Sequence, residues 1–81
     1  MIEPGTVVQS AAGHDAGTFY LVLAVENQRL LLADGRRRKL DNPKRKSVRH
    51  IRKTNTRLQR PETDKKLREA LRAFHTDQGG E

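Results

Sequence analysis

The apolar side chains of this chain are concentrated in one stretch. Residues 5 to 33 hold Val7, Val8, Phe19, Tyr20, Leu21, Val22, Leu23, Val25, Leu30, Leu31 and Leu32, although the chain as a whole is only 33% hydrophobic and 33% charged. Its 81 residues allow one domain with one small core. That core must come from short segments bounded by turns. The longest apolar run, Phe19 to Val25, falls far short of the roughly 20 residues that cross a bilayer. The opening Met-Ile-Glu-Pro-Gly lacks the basic start and apolar stretch of a secretory signal. With no cysteine there is neither a disulfide framework nor a thiolate metal site. The expectation is a cytoplasmic protein with no membrane association.

Turn residues divide the stretch into strands. Thr6 to Ser10 follows the Pro4-Gly5 turn signal and reads as the first. Residues 11 to 18 are small and polar, with Gly13 and Gly17 bracketing His14-Asp15-Ala16, and read as a loop. Phe19 to Glu26 is β-branched and aromatic enough for a second strand, with Phe19, Leu21, Leu23 and Val25 expected inward because the other set ends in Glu26. Asn27-Gln28 turns the chain into a third strand, Arg29 to Ala33, and Asp34-Gly35 is a type I′ hairpin signal. Arg36 to Leu40 is then a candidate fourth strand, broken by Asp41-Asn42-Pro43. Ser47 to Arg52 is a candidate fifth, with a bulge or frayed end because Val48 and Ile51 are three apart. About five short strands with tight turns predict a mainly β fold, a small SH3-like barrel over residues 1–53.

After a polar linker over 54–62, the period changes. Leu67, Ala70, Leu71 and Phe74 fall at i, i+3, i+4 and i+7, predicting an amphipathic helix over 63–77, with Thr63 or Asp64 as cap and Gly79-Gly80 beyond its end. Such a stripe more often covers a core than docks on a partner.

Charge is distributed as unevenly as hydropathy. Residues 1 to 35 carry a net −3, residues 36 to 60 a net +11 with Asp41 as their one acidic residue, and residues 61 to 81 a net −1. A near-neutral frame with one intense positive block is the footprint of a polyanion binder. A solvated charged face explains scattered charges better than it explains this density, because like charges so close repel unless something neutralises them.

The glycine-containing segments carry a resemblance. Gly5-Thr6-Val7-Val8, Ala12 to Gly17, Val22 to Val25 and Leu32-Ala33-Asp34-Gly35 together resemble the KOW motif, a strand entering a glycine loop with an apolar strand after it. The pattern is similar to the fourteenth eukaryote-type large-subunit ribosomal protein and to free-standing bacterial KOW-domain proteins, over roughly residues 4 to 53. The resemblance implies an SH3-like barrel, no catalysis, and contact with ribosomal or other structured RNA. Gly17 matches the motif's characteristic glycine, and Gly13 and His14 share its loop. KOW loops often carry Lys or Arg beside that glycine, whereas this one offers His14, Asp15 and Ala16. Phosphate contact is therefore expected from residues 36 to 53.

Within that span the candidate RNA-binding residues are Arg36, Arg37, Arg38, Lys39, Lys44, Arg45, Lys46, Arg49, His50, Arg52 and Lys53. In a strand at most half of such a run meets one surface, whereas a loop over Lys44 to Lys46 would let all three reach phosphates. Arginine's planar fork suits bidentate phosphate contact. Tyr20, on the face expected outward, is a candidate base-stacking residue, with packing against a neighbouring strand as the commoner alternative. His14, His50 and His75 have no metal-ligand spacing, and no nucleophile has a supporting base, so neither metal, cofactor nor catalytic residue is expected. The basic block ends near Arg60, so the binding surface and the helix are expected to be separable. The alternative to RNA binding is a protein-interaction module docking on ribosomal proteins or transcription machinery through the helix. The oligomeric state stays open.

Overall fold

The computed structural model describes residues 2–79, with side chains described through residue 75. Five strands form one antiparallel sheet: β1 (Thr6–Ser10), β2 (Phe19–Glu26), β3 (Arg29–Ala33), β4 (Lys44–Ser47) and β5 (Ile51–Arg57). Their order is β4-β3-β2-β1-β5, so the sheet is open, with β4 and β5 at its edges. A 3-10 turn, Val48–His50, joins β4 to β5, and one helix, α1 (Asp64–Gly79), closes the chain. Gly79 is its last residue, and Gly80, expected beyond the helix end, lies outside the described residues.

The β2–β3 hairpin forms at the expected Asn27-Gln28 turn. Asn27 has φ of 57°, a left-handed conformation that asparagine tolerates. Both faces of β2 are apolar because both are covered. Val7, Phe19, Leu21 and Ala33 pack with Leu67 and Leu71 of α1 on one face, and Val8, Tyr20, Val22, Leu30 and Leu32 pack on the other. Three of the four residues expected inward do meet the first cluster, but Val25 is 40% exposed. The cause is a bulge. Val22 pairs with Leu32 while Ala24 pairs with Leu31, so Leu23 is an extra residue that reverses the alternation after it.

Beyond β3 the structure departs from the expected pattern. Asp34-Gly35 is not a two-residue hairpin turn, and Arg36 to Leu40 is not a strand. The Asp34 carboxylate accepts hydrogen bonds from the Arg36 and Arg38 amides at 2.9 and 3.0 Å, and the Asp34 and Gly35 amides both donate to the Arg38 carbonyl. A side chain that satisfies backbone donors in this way offers the chain an alternative to a ladder. The loop therefore runs on to Pro43. The strand forms instead from Lys44–Ser47, expected as loop, which pairs along β3 from Leu32↔Lys44 to Arg29↔Ser47.

The irregular spacing of Val48 and Ile51 resolves as one 3-10 turn, in which residues three apart eclipse. Ser47 Oγ accepts from the Arg49 amide at 3.2 Å, and both Val48 and Ile51 reach the second cluster. The expected linker is shorter than 54–62, because β5 runs to Arg57. Thr54 Oγ1 donates to the Val7 carbonyl at 2.6 Å, inside a wide irregularity where two steps of β1 face four steps of β5. Polar threonines that bond the backbone look like linker in composition and act as strand here.

The helix starts one residue after its expected first position. Thr63 caps it, its Oγ1 accepting from the Lys66 amide at 3.1 Å, which leaves Asp64 Oδ1 to accept from the Leu40 amide at 2.8 Å. Leu67 and Leu71 are buried, and Phe74 stacks on Phe19 with ring centroids 5.4 Å apart. The apolar stripe of α1 is thus a wall of the core.

Candidate nucleic-acid interface

Residues 11–18 form a tight loop. The Gly17 amide donates to the Ser10 carbonyl at 2.8 Å and the Thr18 amide to the Asp15 carbonyl at 2.9 Å. Gly17 sits at φ of +93°, a conformation that L side chains rarely adopt, and a Cβ there would meet nothing within 4 Å. Glycine is required by the dihedral, not by space.

Asp15, which the sequence left unassigned, is the centre of this loop. Its side chain is 11% exposed and accepts four hydrogen bonds. Oδ1 takes Ser10 Oγ at 2.8 Å and Lys46 Nζ at 3.1 Å; Oδ2 takes Tyr20 Oη at 2.7 Å and Lys44 Nζ at 2.9 Å. Burial opposes ionisation of this carboxyl, but the donors Tyr20, Lys44, Ser10 and Lys46 outweigh it and hold the group well below the usual carboxylate range. Burial and the adjoining Asp15 charge push the Tyr20 hydroxyl far above its ordinary value.

Three sequence expectations change here. Tyr20 is 3% exposed and bonded to Asp15, so it packs inside the second cluster rather than offering a ring to a base. Lys44 and Lys46 lie in a strand and alternate with Arg45, as strand geometry dictates. Their ammonium groups turn to Asp15, and Lys46 also donates to the Ala12 carbonyl at 3.0 Å. The two lysines brace the glycine loop, Lys46 almost buried and Lys44 with 28% of its side chain still exposed. Arg45 projects the other way to Glu26 at 3.3 Å, an exposed pair that contributes little.

The other predicted cations fall into two groups. Arg36, Arg37 and Lys39 are exposed on the loop after β3, with Arg38 half-buried in its hydrogen-bonded turn. Arg49 and His50 are exposed on the 3-10 turn, and Arg52 and Lys53 on β5. The glycine loop lies between the groups. His14 and Thr18 share a cleft with Arg36 and Arg37, while Ala16 and Gly17 share a shallow groove with Arg52 and Gln9. Gly13 stands on the β4 side, its Cβ position 3.6 Å from Lys46 Nζ.

The cleft also contains Arg68, Arg72 and His75 of α1, which were not among the expected binding residues. A net charge near zero for residues 61 to 81 hid them. The signal was in the spacing: 68, 72 and 75 repeat at i, i+4 and i+7, one step after the apolar Leu67, Leu71 and Phe74. The helix therefore lines the same cleft as the arginines after β3. Arg68 Nη1 donates to the Gly35 carbonyl at 2.7 Å, tying helix to loop.

Among the described residues no group of three or more His, Asp or Glu gathers at metal-ligand distance, and no helix is long and apolar enough to cross a membrane. Comparison with known proteins finds no family model and no curated protein that matches this chain.

Proposed function

We propose that this chain is a non-catalytic RNA-binding protein of the KOW type, built on an SH3-like barrel and associated with ribosomal or other structured RNA. The observation that carries the reading is the +11 segment. Its side chains Arg36, Arg37, Lys39, Arg49, His50 and Arg52 are exposed on either side of a rigid glycine loop, and none of them forms an ion pair among the described residues. Uncompensated cations at this density are accounted for by a polyanion that neutralises them.

The fold is compatible with the barrel. Its strand order β4-β3-β2-β1-β5, its 3-10 turn before the last strand and apolar clusters on both faces of a strongly bulged sheet are features such a barrel would have. The choice of RNA over DNA rests on the resemblance to the KOW motif, since phosphate charge alone does not separate the two. The protein-interaction alternative loses support because the apolar stripe meant to serve it is buried against the sheet.

Ultraviolet crosslinking of the full chain to cellular RNA, with mapping of crosslinked peptides and sequencing of the RNA, tests the reading. Crosslinks on peptides that contain residues 36–39 and 49–53 are expected. An association with ribosomes that survives nuclease treatment, with no RNA recovered, would put the protein-interaction alternative in its place.

A further inference from the structure

A cleft of about 550 Å³ opens where the loop after β3 meets α1 and the glycine loop. Its basic side chains come from three segments: Arg36 and Arg37 from the first, Arg68 and Arg72 from the helix, with the imidazoles of His75 on the helix and His14 on the glycine loop beside them. Four guanidinium groups lining one concavity repel each other, and among the described residues none is paired with a carboxylate. Of the two acidic residues in the wall, Asp15 is neutralised by lysines, so one carboxylate, Asp34, is left to offset four guanidinium groups. Asp15 is occupied by two lysines and two hydroxyls, and Asp34 Oδ1 by the amides of Arg36 and Arg38.

The two arginine-bearing walls are also fixed to each other. Gly35 lies buried beneath α1, where a Cβ would run into the Asp64 carbonyl and come within 2.9 Å of Arg68 Cγ. Arg68 Nη1 holds the Gly35 carbonyl at 2.7 Å, and Asp64 Oδ1 holds the Leu40 amide at 2.8 Å. One donor of Arg68 is thus committed to positioning, and the rest of its fork remains for a ligand. Pre-set donors around a concavity of small-ligand size suit an oxyanion with bulk attached, more than a bare ion.

We infer that this cleft is a phosphate-binding site that seats one nucleotide of the RNA, with α1 supplying half of its arginines. The inference rests on the RNA-binding reading only for the source of the nucleotide.

The test is a titration of the isotope-labelled full chain with a short oligoribonucleotide, with adenosine monophosphate and with inorganic phosphate, read by amide chemical shifts. Affinity for the oligoribonucleotide is measured alongside for Arg72→Glu, Arg72→Gln and Arg52→Glu, the last lying outside the cleft. Shift changes centred on Gly35 to Arg37 and on Arg68 to Arg72 are expected. Either change at Arg72 should weaken the oligoribonucleotide by roughly tenfold, the loss of one charge-assisted contact, with an unchanged melting temperature because Arg72 is exposed. If both Arg72 variants bind normally while Arg52→Glu weakens binding, the cleft is overturned and RNA binding stands. If the oligoribonucleotide does not bind but the monophosphate still shifts the cleft amides, RNA binding is overturned and the phosphate site stands. Silence from all three ligands overturns both.

Discussion

Asp15 uses each of its oxygens twice, and its four partners come from β1, β2 and β4. Such a carboxylate couples loop order to pH. Its pKa is lower folded than unfolded, so it stabilises the fold fully above the unfolded value of about 4, and that contribution is lost as pH falls further toward the folded value. Melting temperature followed from pH 7 to pH 2 should drop steeply below about pH 4 in the native chain. Asp15→Asn should start lower at pH 7 and fall less steeply over the same range. Parallel curves for the two proteins would show that this carboxylate is not coupled to folding. The residue scale also shows where sequence reading stops. The lysines at 44 and 46 were legible as cations, but their partner lies 29 and 31 positions away, and nothing local assigns them to it. Gly17 was legible because its requirement is a dihedral. Gly35 holds the positive φ of 80° that the turn reading asked of it, but in a longer loop, and the close approach of α1 is a second need the sequence did not show.

Elements with a clean period were the legible ones. β1, β2 and β3 lie where the turn residues place them, and the helix follows from the spacing of Leu67, Leu71 and Phe74. The stretch from 34 to 60 was not legible, because polar side chains there bond the backbone: Asp34 and Ser47 locally, diverting one strand and capping a 3-10 turn, and Thr54 across to Val7 of β1. Composition registers all three merely as polar. The helix has a consequence that can be measured. Leu71 is 2% exposed, in the cluster that joins α1 to the sheet. Leu71→Ala should cost about 2–5 kcal/mol in denaturant unfolding, the range for a buried leucine whose site cannot collapse. Removing the chain after Arg60 should lower stability further and weaken RNA binding too, since the arginines of α1 go with it. A truncated chain that kept full stability would mean that α1 is an appendage.

At the scale of the whole molecule, the frame and the charge are divided between parts of the chain. A near-neutral N-terminal half supplies both apolar clusters of the sheet, and the +11 segment wraps its far edges and joins the helix. If the proposed RNA binding acts through phosphates, each phosphate neutralised releases counterions, and affinity should fall as salt rises. The most direct measurement is the affinity of the intact chain for a structured RNA at several salt concentrations. With roughly four to six phosphates contacted, the plot of log K against log salt should have a slope of roughly −3 to −5. A slope near zero would contradict the account, because the arginines would then be present at the surface without meeting the backbone of the RNA.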